Sequence, residues 1–237
     1  MNEYGAEVVK DAPDRFGHFA GIPLPDVDAA VAEAVHALDT LHADGVVLMS
    51  TPAAAISVTP TSKRCGPSST AGVRTSSSTR PSPRWPCSRA PPAPLADYVF
   101  DTTRSALNLV LNGVMHRNPN VRVILSHGGG FLPYAAYRFT GLTSTVVDRE
   151  RKAEDILRDL KRFYFDTALS ASPSALPALL AFAEPGHILY GSDWPFAPHE
   201  AGSYYNHYLE TYPDFAPGQA DAINRKSAEI LFPRLAR

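Results

Sequence analysis

Two short runs in this chain carry residue types that can do chemistry. The first is Ile124-Leu-Ser-His-Gly-Gly-Gly130, where an apolar run ends on His127 and three glycines follow. The second is Ile188-Leu-Tyr-Gly-Ser-Asp-Trp-Pro195, where an apolar run ends at Asp193 with an aromatic ring and a proline behind it. An imidazole moves protons near neutral pH, and a carboxylate holds a cation or orients water. On neighbouring strand ends the two would bind a divalent metal or form an acid/base pair. The glycines allow a ligand to approach the backbone closely. The plainer roles stay open beside these, since a strand-end Asp often forms a turn or a cap and a His can simply bond to backbone.

The remaining histidines read as structural or solvated. His36 and His42 fall in a helix, His116 near a helix end, His187 ahead of a strand, and His18, His199 and His207 in loops or strand edges. Tyr204, Tyr205, Phe163 and Phe165 read as packing residues.

The elements that must position His127 and Asp193 follow from apolar spacing. Asp26 to His42 places Val27, Ala30, Val31, Ala34, Leu38 and Leu41 on one helical face, with Asp26 or Asp28 as its cap. Gly45 to Ser50 follows as a nearly continuous apolar run, the pattern of a strand in a buried parallel sheet. The unit recurs as helix Asp101 to His116 with strand Val121 to Ser126, helix Lys152 to Lys161 with strand Phe163 to Leu169, and helix Ser174 to Ala183 with strand His187 to Ser192. Phe16 to Leu24 reads as an earlier strand. Such alternation predicts an α/β fold, either a (β/α) barrel or a doubly wound sheet, and the lack of GxGxxG before a first helix favours the barrel. Reactive groups of a barrel sit at the carboxyl ends of its strands, which is where both runs fall.

The 237 residues suffice for one large domain; 44% are hydrophobic, 19% are charged and the net charge is -2. That balance gives no attraction to nucleic acid, and no run reaches the roughly 18 apolar residues of a membrane span. The opening residues are too charged for a signal peptide, so a cytoplasmic protein is expected. Cys65 and Cys87 are too few for a disulfide framework. They lie in an unusual stretch: no acidic residue occurs between Asp44 and Asp97, and residues 56–90 hold nine serines and six basic residues without apolar periodicity.

Around the two runs the chain resembles the amidohydrolase-related family that includes amino-carboxymuconate-semialdehyde decarboxylase and the decarboxylases of salicylate-type acids. The resemblance covers NEYGAEVVKDAPDRFGHFAGIPLPDVDAAVAEAVHALDTLHADGVVLMS, PLADYVFDTTRSALNLVLNGVMHRNPNVRVILSHGGGFLPYAAYRF, YFDTALSASPSALPALLAF, ILYGSDWPF and INRKSAEILFPR. It implies a (β/α)8 TIM-type barrel with one divalent metal, usually zinc, held by an HxH on the first strand, a His on the fifth and an Asp on the eighth. Carried over, Asp193 is the eighth-strand metal ligand and His127 the sixth-strand acid/base. Arg138 and Trp194 are expected to line the pocket of a small carboxylic acid substrate.

The departures are as informative. The chain is expected to start at the helix before the family's third strand, it contains no HxH, and the fifth-strand VFVHP is absent from the place where residues 56–90 stand. The expected fold is therefore a single barrel domain over 1–237, N-terminally truncated and missing its fifth strand. When codons are built across residue boundaries, Thr75 to Arg80 permits Val-Phe-Val-His-Pro, so 56–90 is read as a frame-shifted segment. The resemblance implies a metal-dependent decarboxylase of an aromatic or muconate-type acid. Its rivals are a metal-dependent hydrolase of a lactone or amide, and a non-catalytic remnant. A homo-oligomer stays open, and nucleic-acid and membrane partners are not expected.

Overall fold

The computed structural model describes residues 1–50, 70–75 and 93–236, with the backbone alone at 50, 70–75 and 93. Six strands, β1 (Phe19–Gly21), β2 (Gly45–Ser50), β3 (Thr70–Thr75), β4 (Arg122–Leu125), β5 (Tyr164–Asp166) and β6 (Ile188–Leu189), form one sheet, all parallel and side by side in chain order. Crossovers between parallel strands are right-handed as a rule, and when all step the same way they put their helices on one face of the sheet. A doubly wound sheet reverses its strand order at a switch point, and this one does not. The winding is that of a (β/α) barrel, and the doubly wound alternative is excluded.

The expected gap in the sheet is not found. β3 fills the position between β2 and β4, pairing Val46 with Ala71 on one side and Ala71 with Val123 on the other. A ladder is built from backbone N–H and C=O groups, and residues 68–80 are free of the prolines that crowd either side. The strand read from the shifted frame would start at residue 75, and residues 76–80 lie outside the described residues, as do Cys65 and Cys87.

The helices are α1 (Asn2–Asp11), α2 (Val27–Asp39), α3 (Ala93–Leu111), α4 (Val114–Arg117), α5 (Leu132–Leu142), α6 (Ala153–Lys161), α7 (Ala175–Phe182), α8 (His199–Glu210), α9 (Gln219–Asp221) and α10 (Ser227–Leu231). Asp26 caps α2, its Oδ1 accepting from the Ala29 amide at 3.0 Å. Of the stripe expected on α2 only Ala30 is fully buried, while Val27 and Val31 are exposed; the helix's other buried residue, Ala37, lies outside the stripe. The expected helix Asp101 to His116 is two helices, because Gly113 adopts a left-handed φ of 68° between α3 and α4. His199 and His207, expected in loops or strand edges, both lie on α8. None of the described helices is long and apolar enough to cross a membrane.

The core gathers Phe163 and Phe165 from β5, Leu125 from β4, and helix residues such as Val110, Leu132, Ile156, Leu160 and Leu176, all fully buried. Burying a side chain of this size stabilises by roughly 1.5–3 kcal/mol. Asp159 is buried on α6 and is matched by Arg151 at 3.3 Å, whose guanidinium also donates to the Val110 carbonyl. Arg162 donates to the carbonyls of Met115, Asn118 and Pro119, fastening α6 to the connection before β4.

At the amino ends of the strands, the C-terminal segment is tied to β1 and β2. Arg234 donates from Nε and Nη2 to the two oxygens of Asp44, at 2.7 and 2.5 Å, and from Nη1 to the carbonyls of Pro13 and Phe16. Asp44 also accepts the His18 amide, and Phe232 packs edge-on against Phe19. Asp44 raises the pKa of the Arg234 guanidinium above its ordinary value, so the pair stays charged on the cationic side across the working range. Forked carboxylate pairs are among the stronger ion pairs, but this guanidinium is 37% exposed, which weakens it. Arg234→Ala is expected to lower stability by about 1–2 kcal/mol in urea unfolding, since it leaves a mostly buried Asp44 without its cation.

A second expectation concerns Asp101 on α3. Burial pushes its carboxyl above the usual range; Arg104 pulls it down and Asp97 pushes it up by lesser amounts. The folded state therefore holds this proton more tightly than the unfolded chain. Its destabilising contribution is absent below the ordinary carboxylate range and grows as pH rises through the raised value. Asp101→Asn is expected to stabilise the protein at pH 7, by an increment that shrinks toward pH 3, as read by urea unfolding at both pH values.

Candidate active site

Three of the chain's strands end in residues held at positive φ, uncommon for non-glycine residues and typical of functional turns. They are His127 (φ 58°) beyond β4, Leu169 (φ 49°) beyond β5 and Asp193 (φ 59°) beyond β6. One rim of the sheet thus carries both residues singled out in the sequence. They are not on adjacent strand ends as expected: β5 stands between β4 and β6. With strands about 4.8 Å apart, this sets their strand axes about 10 Å apart.

The turn after β4, His127–Gly129, is not a regular helix: Gly128, Gly129 and Gly130 continue the positive φ of His127. Packing explains the glycines. A Cβ on Gly130 would lie 2.2 Å from the Val99 carbonyl oxygen of α3, and one on Gly129 would lie 2.7 Å from the Phe165 ring. Thr103 completes the seam: its hydroxyl donates to the Val99 carbonyl and accepts the Phe131 amide, both at 2.8 Å. α3 and β5 can close on this turn only because it has no side chains after His127.

His127 is half-buried, and its Nδ1 is buried without a hydrogen-bond partner among the described residues. A buried ring nitrogen left unpaired has its proton-transfer capacity available to a ligand. The Tyr98 ring of α3 stands near it, with ring centroids 6.3 Å apart. The His127 backbone amide donates to Asp166 Oδ1 at 2.8 Å.

Asp193 also does the bland work foreseen for it. Its carbonyl accepts from the amides of Phe196 and Ala197, at 2.8 and 2.9 Å, forming the turn that follows β6. Trp194 is 68% exposed on that turn, and its amide donates to the Ser192 hydroxyl. Arg138 is exposed on α5, the helix that follows the glycine turn; the structure brings it into no ion pair among the described residues. Asp166 was not singled out in the sequence. Its only signal there was its place at the end of an apolar strand, Tyr164-Phe-Asp166.

The donor set does not fit a metal held by three protein ligands. No three His, Cys, Asp or Glu side chains converge among the described residues. All eight histidines and every Asp and Glu belong to those residues, so only Cys65 and Cys87 stand outside them. The rim does provide an imidazole with a free ring nitrogen, two carboxylates and an exposed indole. The glycine turn yields a sharp expectation. Gly130→Ala combines a disfavoured φ with a backbone overlap, and is expected to cost about 3 kcal/mol or more in thermal or urea unfolding, or to prevent folding.

Comparison with known proteins agrees with this architecture. The amidohydrolase family profile matches residues 68–234. The decarboxylase yanB of Aspergillus niger is 36% identical over 254 residues, 99% of this chain and 67% of that protein. The 6-methylsalicylic acid decarboxylase of Penicillium expansum is 35% identical over 260 residues, 99% of this chain and 74% of that protein. Among solved structures, an amidohydrolase II superposes with a TM-score of 0.84 at 26% identity, over 98% of this chain and 75% of the other. A dihydroxybenzoic acid decarboxylase from Polaromonas, solved with bound manganese and an inhibitor, superposes with a TM-score of 0.72 at 20% identity, over 98% and 73%. The chain belongs to the amidohydrolase family of enzymes, and the Aspergillus and Penicillium relatives that it matches over 99% of its length are decarboxylases.

Proposed function

We propose that the protein is a decarboxylase of a small aromatic acid of the salicylate type. The observation that carries this reading is the 35–36% identity to decarboxylases across 99% of the chain. The rim supports it chemically. Decarboxylation of such an acid puts a proton on the ring carbon that bears the carboxylate. The carbon–carbon bond then breaks, its electron pair returns to the ring, and carbon dioxide leaves. One proton is consumed per turnover. His127, with its unpartnered buried Nδ1, is the group placed to deliver that proton.

Asp193 is proposed as the second functional residue, the carboxylate of the same rim. Trp194 supplies an exposed aromatic face suited to stacking on a planar acid, and Arg138 a cation for its carboxylate. The family resemblance assigns a divalent metal, zinc, to Asp193. The described residues supply no set of three donors for it, so the proton step above rests on His127 alone. That same observation favours a second reading, in which this chain has no turnover of its own.

The test is release of labelled carbon dioxide from a carboxyl-labelled salicylate-type acid by the purified chain, with zinc, with manganese and with chelator, and with a lactone assayed in parallel. Release by the wild type and a fall of about 10²–10⁴-fold in kcat for His127→Ala are expected. Lactone opening without carbon dioxide would replace decarboxylation by hydrolysis. No turnover in any condition would leave the non-catalytic reading.

A further inference from the structure

We propose that Asp166 is a positioning residue: its carboxylate sets the conformation from which His127 works, and it links the His127 turn to the strand end that carries Asp193. The proposal rests on the reading of His127 as the proton donor. Asp166 is the last residue of β5, the strand between the two that end in His127 and Asp193. Its Oδ1 accepts two amides, that of His127 at 2.8 Å and that of Ala168 at 3.0 Å. Both bonds are of ordinary length, and an acceptor oxygen in that place is what each amide needs. A left-handed conformation is unfavourable for a non-glycine residue, so His127 keeps its φ of 58° only where the surroundings hold it there.

The other side of Asp166 is equally confined. A Cβ on Gly191 would lie 3.0 Å from Asp166 Cβ, 3.1 Å from its Cγ and 3.2 Å from the Ala168 amide nitrogen. The Gly191 amide donates to the Thr167 hydroxyl at 3.2 Å. Asp166 is thus wedged between the turn after β4 and the bare backbone at the end of β6, two residues ahead of Asp193. Strand alternation directs Phe165 to the buried core, where it packs against Phe182, and turns Asp166 to the opposite face of the sheet, at the carboxyl end of β5.

The test compares wild type, Asp166→Ala, Asp166→Asn and Gly191→Ala. Asp166→Asn keeps an acceptor oxygen in place, and Gly191→Ala displaces the carboxylate without removing it. In Asp166→Ala and Gly191→Ala, exchange of the His127 and Ala168 amide hydrogens is expected to quicken about tenfold or more, with the Tyr190 amide, bonded to the Ile223 carbonyl, unchanged as a control for the fold. In both variants kcat for carbon dioxide release is expected to fall about 100-fold with KM within about twofold, while Asp166→Asn stays within about threefold of wild type. Unchanged exchange at His127 in Asp166→Ala overturns the proposal. So does an equal kcat loss in Asp166→Asn, which would assign the effect to charge rather than to the bond with the His127 amide. If the wild type releases no carbon dioxide, the decarboxylase reading fails, and the exchange comparison alone still decides the role of Asp166.

Discussion

Backbone closeness at the turn after β4 is the constraint on which the rim is built. Four successive residues, His127 to Gly130, hold positive φ, and three of them lack a Cβ. The vacated space is taken at once by Val99 of α3, by the Phe165 ring and by Ser170. α3 and β5 are therefore drawn to a distance that ordinary side chains would forbid. His127 is the one residue of the turn with a side chain. The chemistry of the site is a by-product of what its neighbours lack.

The two ends of the strands divide the labour of the fold. At the carboxyl ends the backbone adopts uncommon conformations at His127, Leu169 and Asp193, and polar groups such as His127 Nδ1 lack a described partner. At the amino ends Asp44, Arg234, the His18 amide and the Phe19–Phe232 ring pair lock separate parts of the chain together, yet both His18 ring nitrogens are buried without a partner among the described residues and His42 holds a φ of 54°.

Much of this was legible in the sequence because it depends on local pattern. Gly45 to Ser50 was predicted residue for residue, and the helices before β5 and β6 were placed within a residue, since amphipathic spacing and apolar runs dictate them. His127 and Asp193 could be found because each follows an apolar run. What escaped is set by contacts between distant residues. The two-residue β6 is shorter than its apolar run suggests, since only Ile188 and Leu189 have a partner strand alongside. Asp166 has only its strand-end place as a signal in the sequence, because its partners, His127 and Gly191, are 39 and 25 residues away. β3 escaped for a different reason: backbone pairing does not consult the side chains, so a segment with no apolar period can still complete a ladder.

The link between Arg234 and the amino-terminal strands also governs the order in which the molecule can be completed. Arg234 binds Asp44 across 190 residues of sequence and the Pro13 carbonyl across 221. The entropy of closing so long a loop grows only as the logarithm of its length, yet contacts of such separation are slow to form. On a ribosome, β1 and β2 emerge long before residue 234 can seal their floor. Until then Asp44 lacks its cation and Phe19 its ring partner, so the interval between synthesis of β2 and arrival of Arg234 is the period in which this end of the fold is most exposed to misassembly.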